Sequence, residues 1–167
     1  GVVTSDVFDP PPGAHIVIAV KAYDLDPILA LLATRLDPTH EVVLLQNGLG
    51  IGAFATRILD RPVTRGITFI AAERIEPGVV RLNAAGKTYF PAASAITELW
   101  HRAGLPAEPV HNIDLYEWRK LAINAVINPL SALLGVENGA LDTLVGTAHG
   151  LVEELVSVAR CDGIVLD

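Results

Sequence analysis

The chain has 167 residues, 51% of them hydrophobic and 19% charged, a balance that excludes a disordered chain and provides a core for one ordinary domain or two small ones. A formal net charge of -7 and a pI near 5.1 leave no basic stripe to neutralise phosphates, which excludes a nucleic-acid partner and favours small molecules or other proteins. No apolar run approaches a membrane span, nothing at the N-terminus resembles a signal peptide, and the lone Cys161 cannot form an internal disulfide, so a soluble protein of the reducing cytoplasm is expected. The chain starts at Gly1 and contains no methionine, as expected of a fragment of a longer product.

In chain order, HIVIAV (15–20) is a nearly continuous apolar, β-branched run, predicting a strand buried on both faces of a parallel sheet and ending at Lys21. DLDPILALLATRL (24–36) has helical periodicity with an acidic start and Pro27 in the first turn, and EVVLL (41–45) predicts a second buried strand, completing a β-α-β unit. The turn QNGLGIG leads to a helix over 52–59. VTRGITFIAAERI (63–75) predicts one long strand, and EPGVVRLNAAGKTYF a β-hairpin turning at NAAG. A helix over 92–104 and a strand over 107–112 close the first half; from Asp114 onward the pattern is helical, which places a domain boundary near His111. The predicted architecture is an α/β fold: a partial Rossmann-like, mostly parallel sheet domain over 1–111, followed over 112–167 by the start of an all-helical C-terminal domain. Open parallel sheets bind ligands at the carboxyl ends of their strands, so Lys21, the QNG turn and the segment after Ile70 are expected at one crevice.

The most informative stretch is WRKLAINAVINPLSALLGVENG (118–139). Residues four apart share a helix face, so Lys120, Asn124 and Asn128 form one polar stripe. Its apolar flanks suggest packing on both sides and a stripe largely shielded from water. Burying such groups unpartnered costs roughly 1–3 kcal/mol each, and more for a charge, so something polar must meet them. Pro129 is expected to free the Ala125 carbonyl and bend the helix beside the stripe. A lysine among amides suits proton donation to a carbonyl oxygen that is gaining negative charge, and asparagines can hold hydroxyl and carboxylate groups. A polar seam satisfied by the rest of the protein, or a surface face beside apolar neighbours, is an equal reading of the spacing alone.

Other chemistries find less support. The histidines (His15, His40, His101, His111, His149) have no metal-ligand spacing and Cys161 has no companion, so no metal site is expected. Ser131 has no adjacent histidine and no G-x-S-x-G elbow occurs, which leaves no case for a serine hydrolase. Glu153 and Glu154 fit the solvated face of an amphipathic helix.

AVKAY (19–23), LLQNGLG (44–50), GITFIAA (66–72) and EWRKLAINAVINPLSALLGVENGAL (117–141) stand in the order and approximate spacing seen in ketopantoate reductases, or 2-dehydropantoate 2-reductases, and the whole chain resembles the middle portion of one. The last motif is the specific one. The resemblance implies an NADPH-dependent reduction of 2-dehydropantoate to pantoate, on the way to pantothenate and coenzyme A. By motif position, Lys120 would be the general acid, Asn124, Asn128 and Asn138 would bind substrate, and Asn47 would lie near both substrate and nicotinamide. Lys21 and Ala72 would contact the cofactor, Ala72 through its backbone. A homo-oligomer, most simply a dimer, is expected from apolar surface left for packing. The family's opening G-x-G-x-x-G turn and its later helices are not among these residues; GLGIG (48–52) is a different turn. The alternatives are a paralogous reductase of another 2-keto acid and a truncated, non-catalytic scaffold.

Overall fold

The computed structural model describes residues 9–136 and 145–166. The chain divides into two compact units, Gly1–Ile113 and Asp114–Asp167. In the first, strands β1 (His15–Ile18), β2 (Glu41–Leu44) and β3 (Thr64–Arg65) form a wholly parallel sheet in the order β1-β2-β3. Helix α1 (Leu25–Ala33), entered through a 3-10 turn at Ala22–Asp24, links the first two strands, and α2 (Ile51–Leu59) links the second pair.

The period-two alternation of β2 organises the packing. Val42 and Leu44 join Ile16 and Ile18 against Leu25, Leu29 and Leu32 of α1 and Ala55 and Leu59 of α2. Val43 faces the other way, clustering with Phe90 and Ile96 and with the partly buried Leu45, Leu99 and Trp100. Each fully buried aliphatic side chain contributes roughly 1.5–3 kcal/mol, so β2 is the chain's best-anchored strand. β1 departs from expectation. It is an edge strand, and Val17 on its second face is 40% exposed.

The long strand expected over 63–75 is three short ones. β3 pairs with β2; β4 (Ile67–Thr68) joins a second sheet in the order β4-β7-β8, where β7 is Thr88–Pro91 and β8 Ala107–Val110; and β5 (Ala71–Glu76) pairs with β6 (Val79–Ala84) in a two-stranded sheet. The chain changes sheets at Gly66, where a Cβ would lie 2.5 Å from Phe90 Cε1 and 2.6 Å from Leu45 Cδ2. Only a residue without a side chain fits there. The hairpin is also shifted: it turns at Pro77-Gly78, with Gly78 at φ +83°, rather than at NAAG. Proline followed by a positive-φ glycine is the type II turn pair, which favours closing the chain there. Asn83–Gly86 instead carries the chain back to β7, and a Cβ on Gly86 would fall 2.1 Å from the Phe69 carbonyl oxygen. Helix α3 (Ile96–Arg102) precedes β8, whose pairing with β7 is parallel.

In the second unit, α4 (Ile113–Leu134) runs continuously through Pro129, and α5 is Val145–Cys161. Trp118 and Val126 are buried on α4, and Ala159 on α5. Glu153 and Glu154 are exposed, the former 3.3 Å from His149. No helix among the described residues is long and apolar enough to cross a membrane.

Candidate active site

The parallel register brings the carboxyl ends of β1, β2 and β3 to one edge of the first unit, and the Leu45 amide still donates to the Ile18 carbonyl at 3.1 Å beyond the last paired residues. Two expected site residues stand at this edge. Lys21 is exposed and precedes the 3-10 turn, which its carbonyl closes by accepting from the Asp24 amide at 3.0 Å. Asn47 is exposed in the turn after β2, followed by Gly48 at φ +113° and Gly50 at φ +76°. Those left-handed conformations explain why this turn is glycine-rich.

Ala72 is exposed and stands opposite Leu82 in the two-stranded sheet.

Two further polar residues stand at the edge, Gln46, which the sequence reading named only as part of the QNG turn, and Arg65, which it did not single out. Gln46 is only 6% exposed, and neither its Oε1 nor its Nε2 has a hydrogen-bond partner. A buried amide left so costs roughly 1–3 kcal/mol, so a donor-and-acceptor group at this position stabilises it. Arg65 is 8% exposed, with Nη2 donating to the Gln46 carbonyl at 3.0 Å and Nη1 to the Leu44 carbonyl at 3.3 Å. The only signal for either was a polar side chain interrupting an apolar run, in VVLLQ and VTRGI.

In the second unit, Lys120, Asn124 and Asn128 lie on one continuous helix at successive four-residue steps, and so on one face. Shielding of this stripe is uneven. Lys120 and Asn124 are half-buried, whereas Asn128 is exposed, its carbonyl accepting from the Ser131 hydroxyl at 3.1 Å. The apolar flank continues outward at Ile123, which is 47% exposed, so packing on both sides of the stripe does not extend along the helix. Asn138 lies outside the described residues.

A cavity of about 680 Å³ opens at the opposite, amino end of β2 and β3, lined by residues including Asp37, Thr39, His40, Asp60, Arg61 and Thr64. Its polar groups are engaged internally. The Arg61 guanidinium donates to the carbonyls of Asp37, Pro38 and His40, while Asp37 Oδ1 accepts from the amide and hydroxyl of Thr39. This cavity is therefore a structural corner, away from the edge with Lys21 and Asn47.

The family described as "Ketopantoate reductase PanE/ApbA" matches residues 2–95, and "Ketopantoate reductase PanE/ApbA C terminal" matches residues 112–167. The chain is 34% identical over 170 residues to the 2-dehydropantoate 2-reductase of Pyrococcus horikoshii, covering 93% of this chain and 56% of that protein. It is 32% identical over 163 residues to that of Pyrobaculum aerophilum, covering 90% and 52%. The chain thus spans about half the length of the curated relatives it matches.

Among solved structures, a PanE/ApbA family ketopantoate reductase from Ralstonia eutropha superposes with a TM-score of 0.82 at 26% identity, covering 92% of this chain and 54% of that one. A D-mandelate dehydrogenase in complex with NADH superposes at 0.84 and 26%, covering 92% and 56%. With one family profile spanning most of the first unit and another spanning the helical region, the chain belongs to the ketopantoate reductase PanE/ApbA family.

Proposed function

We propose that this chain is the portion of an NADPH-dependent 2-dehydropantoate 2-reductase that carries the proton donor and much of the substrate-binding surface, acting in pantothenate and coenzyme A biosynthesis in the cytoplasm. The observation that carries the reading is the family match over the very helix that presents Lys120, Asn124 and Asn128 on one face. Lys21, Asn47 and the Ala72 backbone are assigned to the cofactor, with Asn47 also reaching substrate, and Asn138 is assigned to substrate. The buried amide of Gln46 fits a group that both donates and accepts, as the carboxamide of a nicotinamide does.

The nicotinamide cofactor supplies a hydride to the ketone carbon when bound. As the carbonyl π electrons move onto oxygen, the Lys120 ammonium gives that oxygen a proton, and the product is the 2-hydroxy acid. Asn124 and Asn128 donate amide hydrogens to the substrate's oxygens and fix the ketone relative to Lys120. A homodimer is part of this reading; light scattering of the purified protein tests it.

The experiment is ketopantoate-dependent NADPH oxidation by the longest polypeptide the gene encodes. Turnover is expected there, and little or none from the 167-residue chain alone. A folded but inert full polypeptide overturns the reading.

A second reading has its own support. The superposition on D-mandelate dehydrogenase, an enzyme named for a 2-hydroxy acid, favours a paralogous reductase of another 2-keto acid. A panel of 2-keto acids decides between the two by kcat/KM.

A further inference from the structure

Arg65 is buried at 8% exposure in a strand of only two residues, where a guanidinium is expensive unless its donors are used. Two of them are used at the end of β2. β2 leaves the sheet after Leu44, and Arg65, paired with Leu44 in register, reaches past that end to hold the carbonyls of Leu44 and Gln46. Helix α2 makes room for it, because a Cβ on Gly52 would lie 3.0 Å from Arg65 Cδ and 3.1 Å from Cγ. The arginine stem is thus confined between the end of β2 and the first turn of α2.

Beyond this anchor the chain enters the glycine turn. Asn47 comes directly after Gln46, then Gly48 and Gly50, both at positive φ and both without a side chain to restrain the turn. Charge-assisted bonds to a carbonyl are stronger than neutral ones, and the bond at Gln46 fixes the peptide from which Asn47 projects.

We propose that Arg65 is a positioning residue: with its stem packed beneath Gly52 and its guanidinium on the Gln46 carbonyl, it sets the position of Asn47 for ligand binding at the carboxyl edge of the sheet. The proposal rests on the assignment of Asn47 to cofactor and substrate.

The test is a double-mutant cycle in the longest encoded polypeptide with Arg65→Met, which keeps the stem and removes the donors, and Asn47→Ala. Arg65→Met is expected to lower kcat/KM for ketopantoate with NADPH about 10- to 100-fold, as small misplacements do. Adding it to Asn47→Ala should cost nothing more, since it acts through that side chain. Arg65→Lys, retaining one donor, should recover part of the loss. In the ligand-free protein, amide exchange across residues 46–50 should quicken in Arg65→Met and slow again in Arg65→Lys. Wild-type kcat/KM in Arg65→Met, full additivity with Asn47→Ala, or unchanged exchange across 46–50 each overturns the proposal. A silent Asn47→Ala overturns the Asn47 assignment first and this proposal with it, and that variant alone identifies the case. If Arg65→Met does not fold, Arg65→Lys takes its place in the same cycle, with non-additivity supporting the proposal and additivity ending it.

Discussion

Gly66 and Phe90 approach so closely that a single added methyl on the glycine would sit 2.5 Å from the phenylalanine ring. The chain passes there from the parallel sheet of β1-β2-β3 into the sheet of β4-β7-β8, and Phe90 is wholly buried. Overpacking of this kind forces side chains off their rotamers or shifts backbone. Gly66→Ala is therefore expected to destabilise the protein by roughly 1–3 kcal/mol, read as a lowered urea midpoint with an unchanged slope. Retention of the wild-type midpoint would mean that the two sheets move apart more easily than their packing implies.

Arg61→Met removes the donors that hold the carbonyls of Asp37, Pro38 and His40 at the amino end of β2. The bonds to Asp37 and His40 are part-buried, and leaving such acceptors unpaired costs roughly 1–3 kcal/mol, so thermal unfolding should move to lower temperature. The corner lies at the far end of the sheet from Asn47, so keto acid reduction at room temperature should keep its wild-type KM. A KM raised tenfold would contradict that separation.

Asp37 gives a pH signature. The Thr39 hydroxyl, then the Thr39 amide, with smaller contributions from His40 and Arg61, hold its carboxyl below the ordinary value of 3.8, burial opposing them. A folded-state value below the unfolded one means stability that is present above 3.8 and lost as pH falls through the lowered value. Asp37→Asn should therefore be less stable than wild type at neutral pH, with the gap in urea midpoint closing as pH falls below 3.8 through the lowered value. A gap of constant size across that range would show that the carboxylate charge is not what stabilises the corner.

Lys120→Ala, made in the longest encoded polypeptide, should lower kcat by about 10² to 10⁴, the range general acid catalysis contributes. Lys120 is half-buried rather than part of the close-packed core, so the melting temperature should change little. Steady-state kinetics beside a thermal melt separates the two effects. Near-normal turnover would remove Lys120 from the proton-transfer step.

Much of the frame was legible from pattern. β2 and α2 fall within a residue of EVVLL and the helix over 52–59, and β1 and α1 end two and three residues short of HIVIAV and DLDPILALLATRL, because each is a local run whose hydrophobic period matches its structure. The Lys120, Asn124 and Asn128 face was legible for the same reason, since four-residue spacing on a helix needs no tertiary information. Residues 63–91 were not. Their β propensity is continuous, and nothing local distinguishes Gly66 from a glycine within a strand.

The sequence by itself determined the order of the first four elements, the parallel β-α-β start, the long helix carrying Lys120 and the family, all of which rest on local periodicity or on motifs contiguous in the chain. Only the tertiary structure decided that Gly66 breaks the long strand, that the hairpin turns at Pro77-Gly78, that Ala72 lies in a sheet apart from β1-β2-β3, and that Gln46 and Arg65 are buried. Those outcomes depend on which atoms meet across the fold: Phe90 against Gly66, Phe69 against Gly86, and the Arg65 stem beneath Gly52. Such contacts join residues well separated along the chain, and no window of local pattern specifies them.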